Sequence, residues 1–119
     1  MSYDFVDVTD LEPGGPGGMV RFVRKRLGAQ AFGFNYFILP PGSEGREHDH
    51  ADTNLEEVYF VVRGSGTMRV DEDDVELRPG RFLRVDPAST RVPTAGDDGL
   101  EFVTFGAPIG APYEPPPWG

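Results

Sequence analysis

The chain of 119 residues carries 20 acidic and 11 basic side chains, a formal net charge of -9, and it contains no cysteine. This length suits one domain with a substantial core, and the missing cysteines exclude disulfides, thiolate metal sites and a thiol nucleophile. The acidic balance argues against nucleic acid and anionic membrane surfaces as partners, because binding to either requires clustered basic side chains.

The N-terminal third of the chain predicts three strands, at residues 3–8, 19–27 and 31–39. The sequence PGGPGG at residues 13–18 separates the first two and predicts a flexible connection. Residues 19–27 also show the spacing of a short amphipathic helix, but we favour a strand there. The acidic start, MSYDFVDV, is unlike a signal peptide and no apolar run is long enough to span a membrane, so we expect a cytoplasmic location.

The rest of the chain predicts short strands separated by turns. These strands cover residues 46–50, 57–63, 67–70, 75–77, 82–85 and 100–105. Hairpin turns are expected at residues 64–66 and 72–73. Residues 111–119, which include four prolines, predict an extended tail that packs Tyr113 or Trp118 onto the body. Strands at this spacing indicate an antiparallel, all-β sandwich or barrel.

The strand that begins at Glu57 is apolar on both of its faces. Glu57, Tyr59 and Val61 share one face, and the residues between them, Val58, Phe60 and Val62, share the other. A strand of a small barrel shows a polar outer side unless something covers it. We therefore expect a homodimer; the alternative is that the N-terminal strand or the proline-rich tail covers that face.

The chain's only two histidines, His48 and His50, stand two residues apart, which places both rings on the same face of a strand. Glu57 begins the next predicted strand and faces the same interior if the intervening loop returns the chain antiparallel. Two imidazoles and a carboxylate suit a divalent metal ion, such as nickel, zinc, iron or manganese, and leave coordination positions open for water or substrate.

These residues resemble the first motif of the cupin family: a glycine, His-x-His, a glutamate and a second glycine. The matching positions are Gly42, His48, His50, Glu57 and Gly64. The gap between His50 and Glu57 is longer than is usual in the family. The resemblance implies an all-β, antiparallel barrel of the cupin double-stranded β-helix (jelly-roll-like) type, often dimeric. We expect one such domain over residues 1–119, with its core at about 19–106 and a proline-rich tail at 107–119.

The second cupin motif is incomplete here. Gly80 and Pro87 take their expected places, but the family's third histidine, its fourth metal ligand, is missing. Alignment on Gly80 puts Arg91 at that position, and alignment on Pro87 puts Val92 there. The chain thus looks like a small bacterial cupin with arginine or valine at the fourth-ligand position. Either the site has three ligands and Arg91 holds an anionic substrate group, or the metal has been lost.

Four further residues are candidates for the site. Tyr36 and Tyr59 are predicted to line a pocket for a small ligand, although aromatic residues on barrel strands more often belong to the core. Asp52 and Glu56, in the long loop, are alternative carboxylate ligands, and we favour a solvated rim for both. The sequence therefore predicts a barrel that binds a divalent metal ion and a small organic ligand, without specifying whether it is an oxygenase, isomerase or decarboxylase. The alternative is a metal-free, non-catalytic binding barrel.

Overall fold

A computed structural model describes residues 2–119. The six strands are β1 (Val20–Arg21), β2 (Gly33–Leu39), β3 (Leu55–Val70), β4 (Asp73–Leu77), β5 (Phe82–Val85) and β6 (Arg91–Pro108). Their order is β1-β2-β6-β3-β4, with β5 also paired to β3, and every pairing is antiparallel. The predicted all-β, antiparallel, jelly-roll-like barrel is confirmed.

The two longest strands, β3 and β6, pair along most of their length and bend together to enclose the interior. Their register shifts twice, between Val61 and Arg63 and between Gly64 and Gly66. Gly64 has a φ of 84°, and a side chain there would overlap the carbonyl of Gly99. The hairpin turn predicted at residues 64–66 is therefore wrong: the glycines form bulges inside one continuous strand instead of ending it.

The N-terminal region also differs from the prediction. Residues 3–8 form no strand, and a short 3₁₀-helix, Val8–Asp10, follows them. Residues 19–27 divide into β1 and a helix, α1 (Val23–Leu27), so the helical interpretation is right for the second half. The N–H of Gly28, with φ of 70°, donates to the carbonyls of Arg24 and Lys25 and ends the helix. Residues 46–50 join the sheet only through an isolated bridge between His48 and Arg91.

Side chains from β2, β3, β4, β5 and β6 fill the barrel at one end. The fully buried hydrophobic members are Leu39, Tyr59, Val61, Met68, Leu77, Val85, Ala95, Leu100 and Phe102. Nearer the other end the interior widens into a cavity. This division positions the candidate site, because β2, β3 and β6 each contribute residues both to the core and to the wall of the cavity.

The C-terminal tail (residues 111–119) folds back over the barrel, as predicted. Gly119 is buried beside the ring of Phe22, and its carbonyl accepts a hydrogen bond of 2.8 Å from Nε of Arg24. Tyr113 is half-buried against Gly33, whereas Trp118 remains 67% exposed. Tyr113 is thus the aromatic side chain that anchors the tail. Within residues 2–119, no helix has the length and apolar character needed to cross a membrane.

Candidate metal centre

Backbone pairing fixes the orientation of the two histidines. The N–H groups of His48 and Arg91 each donate to the other's carbonyl, at 3.1 and 2.9 Å, and the N–H of His50 donates to the carbonyl of Pro87 at 2.8 Å. The imidazoles consequently lie side by side on the inner wall, with ring centroids 4.9 Å apart and planes at 81°. This is the same-face arrangement that the spacing predicts.

Glu57 completes the group from the adjacent strand. Its Oε1 lies 3.5 Å from Nε2 of His50 and 3.9 Å from Nε2 of His48. One ligand atom from each of the three residues lies within 4.8 Å of the others. Glu56 points the opposite way and pairs with Arg84 at 3.2 Å in the solvent, and Asp52 is exposed in the loop. The structure therefore brings together His48, His50 and Glu57 and leaves both alternative carboxylates outside.

The electrostatics of this group suit a cation. Burial lowers the pKa of His48 below its ordinary value of 6.5, which keeps the ring neutral at pH 7. Burial by itself would raise the pKa of Glu57, but interactions with His50 and Tyr59 outweigh it and lower that pKa. Nε2 of His50 and Oε1 of Glu57 are buried without a hydrogen-bond partner among the described residues. Neutral imidazoles and an ionised carboxylate with free lone pairs are the donor set that a divalent metal requires.

Arg91 stands at the position of the missing fourth ligand and is fully buried. Its Nη2 donates to the carbonyl of Asp86 at 2.8 Å, but Nε and Nη1 have no hydrogen-bond partner in the described part of the chain. Burial is the main cause that lowers the pKa of His48, and the positive charge of Arg91 adds to it. Val92, the alternative at this position, is a buried apolar residue. A buried guanidinium with two free donors attracts an anionic group.

The two predicted tyrosines have different positions. Tyr59 shares the inner face of β3 with Glu57, lines the cavity, and lowers the pKa of that carboxyl by hydrogen bonding. Tyr36 lies on the opposite side of β2, where its hydroxyl donates to Oε1 of Glu101 at 2.6 Å. The prediction of Tyr36 as a residue of this site is wrong, because the alternation of β2 directs its neighbours Asn35 and Phe37 into the barrel.

A cavity of about 800 Å³ opens in front of the two histidines and Glu57. Sequence reasoning missed most of its wall, which includes Asn35, Phe37, Phe102 and Thr104. Alternation along β2 and β6 was the signal that could have found them. The C-terminal tail forms one side of the cavity, and only the fold brings those residues opposite the metal group.

Three comparisons place this architecture among known proteins. The profile of the cupin domain family matches residues 35–105. A cupin protein from Bacteroides fragilis shares 22% identity at a TM-score of 0.77, covering 93% of this chain and 88% of that one. A predicted oxalate decarboxylase from Thermotoga maritima shares 20% identity at a TM-score of 0.75, covering 89% of this chain and 100% of that one. A cupin-2 domain protein from Shewanella frigidimarina shares 18% identity at a TM-score of 0.60, covering 81% of this chain and 85% of that one. No curated protein matches the sequence.

Proposed function

The chain belongs to the cupin domain family, and on that premise we propose that it binds a divalent metal ion through His48, His50 and Glu57, together with a small organic ligand in the adjoining cavity. The observation that carries the proposal is the convergence of three inward ligand atoms, of which Nε2 of His50 and Oε1 of Glu57 have no hydrogen-bond partner within residues 2–119. Nitrogen and oxygen donors of this kind suit nickel, zinc, iron and manganese.

Each residue of the group has a role that its contacts define. A bound divalent ion would supply Lewis acidity toward a ligand oxygen. Nδ1 of His48 lies 3.1 Å from the carbonyl oxygen of Arg46. A proton on Nδ1 would donate to that oxygen and would leave the lone pair of Nε2 free to bind the metal ion. His50 and Tyr59 lower the pKa of Glu57 against the opposing effect of burial and so favour its ionised form. At a Lewis-acidic ion the group would support isomerisation or decarboxylation, and oxygenation would in addition require dioxygen and a redox-active ion such as iron.

Arg91 adds a fixed positive charge behind this group. This charge would attract a ligand that carries an anionic group, since Nε and Nη1 have no hydrogen-bond partner among the described residues. The structural neighbour from Thermotoga maritima is a predicted oxalate decarboxylase, and an organic acid is one class of ligand that would use this charge. The same charge supports the alternative, a metal-free binding barrel, because a guanidinium beside His48 repels a cation.

Elemental analysis of the purified protein, followed by calorimetric titration with zinc, tests the proposal. We expect about one ion per chain, lost when His48→Ala and His50→Ala are combined. Glu57→Gln should weaken binding at least tenfold, because an amide oxygen is a poorer ligand. The matched control is Glu56→Gln, one residue away on the opposite face, which should leave zinc affinity unchanged. Metal content that survives the double histidine substitution would show that the ion is held elsewhere and would overturn this site, and a wild type that binds no zinc would favour the metal-free alternative.

A homodimer is the second part of the proposal. The N-terminal segment at Val8 and Leu11 lies beside Tyr36 and Ile38 and covers one end of the sheet's outer side. The rest of the outer side of the sheet carries an outer apolar patch, defined by Val58, Phe60, Val62, Phe82, Val103 and Phe105. Phe82 is 68% exposed within it. We propose that a second copy covers this patch, so sedimentation at micromolar concentration should give twice the chain mass. A cytoplasmic location and a lack of nucleic-acid and membrane partners stay predictions.

A further inference from the structure

The wall of the cavity is mostly apolar, with a narrow polar row beside the two histidines and Glu57 and with Arg46, Thr53 and Glu114 among its other lining residues. Much of the lining is aliphatic, aromatic or proline, as in Met19, Phe22, Phe37, Leu55 and Phe102. A ligand that fills this volume must therefore present an apolar surface over most of its area, because polar groups buried without hydrogen bonds are costly.

The polar row crosses three neighbouring strands. Asn35 of β2 pairs with Thr104 of β6, and Thr104 pairs in turn with Tyr59 of β3, so the three side chains adjoin on the inner face. Oδ1 of Asn35 accepts the backbone N–H of Arg24 at 3.3 Å, which leaves Nδ2 as a donor toward the cavity. Tyr59 stands two residues after Glu57 on the same face of β3, so its hydroxyl lies on the cavity side of the strand. The polar row can therefore form hydrogen bonds with one oxygen-bearing group of a ligand, at a position beside His48, His50 and Glu57.

The C-terminal tail contributes two aromatic side chains to the wall of the cavity. Tyr113 and Trp118 both line the cavity, and Trp118 keeps 67% of its surface exposed. The tail is held at its end by the buried side chain of Arg24, which binds the carbonyls of Gly119 and Ala29 at 2.8 Å each. The anchored tail therefore places Tyr113 and Trp118 at the cavity.

We propose that the cavity binds a flat aromatic molecule with a hydroxyl substituent. The hydroxyl oxygen of the ligand forms hydrogen bonds with Thr104 and the rest of the polar row, beside His48, His50 and Glu57. The aromatic ring of the ligand lies between Phe102 and the C-terminal tail. This inference rests on the proposed function in taking the cavity as the ligand site. A sugar would leave most of its hydroxyls against apolar wall, and a diacid the size of oxalate would leave most of 800 Å³ without contacts.

Isothermal titration of the purified, full-length protein with three probes tests this ligand class. The probes are 2-naphthol, naphthalene, which has the rings without the oxygen, and glucose, which has hydroxyls without an aromatic ring. We expect 2-naphthol to bind about tenfold more tightly than naphthalene and glucose not to bind. In Thr104→Val, which keeps the side-chain shape, 2-naphthol and naphthalene should bind with equal affinity. Equal affinities in the wild type, or tighter binding of glucose, would overturn the inference.

The tail is tested at Trp118, the chain's only tryptophan. Its fluorescence should change on titration with 2-naphthol, and Trp118→Ala should weaken binding of both ring probes about tenfold. Because Trp118 is mainly exposed, this variant keeps the fold. An unchanged affinity of Trp118→Ala for both probes would exclude the tail from the ligand site.

Zinc titrations of the same variants separate this inference from the proposed function. Thr104→Val and Trp118→Ala should retain the zinc stoichiometry of the wild type, since neither residue belongs to the metal group. Selective binding of 2-naphthol without zinc supports the ligand class and contradicts the proposed metal function. Binding of zinc without selectivity for 2-naphthol supports the metal function and overturns the ligand class.

Discussion

The two faces of strand β3 are similar in composition but differ in what they contact. The inner face carries Glu57, Tyr59 and Val61, whose neighbours are the histidines, the cavity and the core. The outer face carries Val58, Phe60 and Val62, and Phe60 stacks on Phe82 at a centroid distance of 4.4 Å. Both faces are apolar, but only the inner one includes a buried carboxylate. A single charged residue with inward partners distinguishes the functional face of such a strand.

This difference follows from what the neighbouring strands contribute. On the inner side, Phe102 and Thr104 of β6 stand beside Val61 and Tyr59. On the outer side, β6 contributes Phe105, which remains 38% exposed. The inner face is thus closed by the barrel itself, and the outer face requires a cover from elsewhere. Substitutions on the two faces should therefore have unequal effects.

The largest expected effect is on stability, at neighbouring valines. Val61 is 1% exposed and Val62 is 37% exposed. Val61→Asp places a carboxylate in the core and should reduce the free energy of unfolding by about 4 kcal/mol or more, or abolish folding. Val62→Asp should change the monomer's stability by less than about 1 kcal/mol. Urea denaturation of both variants measures the difference, and equal losses would show that the two faces are equally enclosed.

The next effect concerns assembly. Phe82 is the most exposed residue of the outer apolar patch, so Phe82→Asp should leave the monomer folded and convert the dimer to monomer. Sedimentation velocity compares it with the wild type, and zinc titration of the same variant should give the wild-type affinity. A variant that still sediments as a dimer would place the interface on another surface.

The sequence alone was sufficient to predict the strand-rich barrel and the convergence of His48, His50 and Glu57 in a candidate metal site. The reason is local: His48 and His50 share a face by their spacing, and Glu57 begins a strong β pattern. The long gap between His50 and Glu57 did not matter, since residues 51–54 form a turn that returns the chain.

Other features depend on contacts that are distant in sequence. Gly64 resembles a turn residue, and only the proximity of Gly99 makes it a bulge within β3. Tyr36 resembles a pocket residue, but its partner Glu101 lies 65 positions away and fixes it on the outer side. Likewise, nothing near Gly119 in sequence predicts that Arg24 binds its carbonyl.

A smaller effect is expected from restoring the fourth ligand. Arg91→His places an imidazole where the family has one and removes a positive charge beside His48. Zinc affinity should rise about tenfold or more relative to the wild type. Arg91→Met is the control, because it removes the charge without adding a ligand and should give a smaller gain. If Arg91→His binds zinc no more tightly than Arg91→Met, then the side chain at position 91 does not reach the metal group.

The smallest expected effect is a titration on the outer side of β2. The pKa of Tyr36 is raised from 10.0 to about 12. Burial is the largest cause, and the hydrogen bond with Glu101 and the negative charge of Glu101 add to it. Since the folded state favours the protonated phenol, the corresponding stability is fully present below pH 10 and is lost as pH rises through about 12. Tyrosinate absorbance, taken as the difference between the wild type and Tyr36→Phe, measures this pKa. Glu101→Gln should lower it while leaving it above 10, because burial persists. A Tyr36 pKa of 10 in the wild type would mean that solvent reaches the phenol and that the N-terminal segment does not cover this end of the sheet.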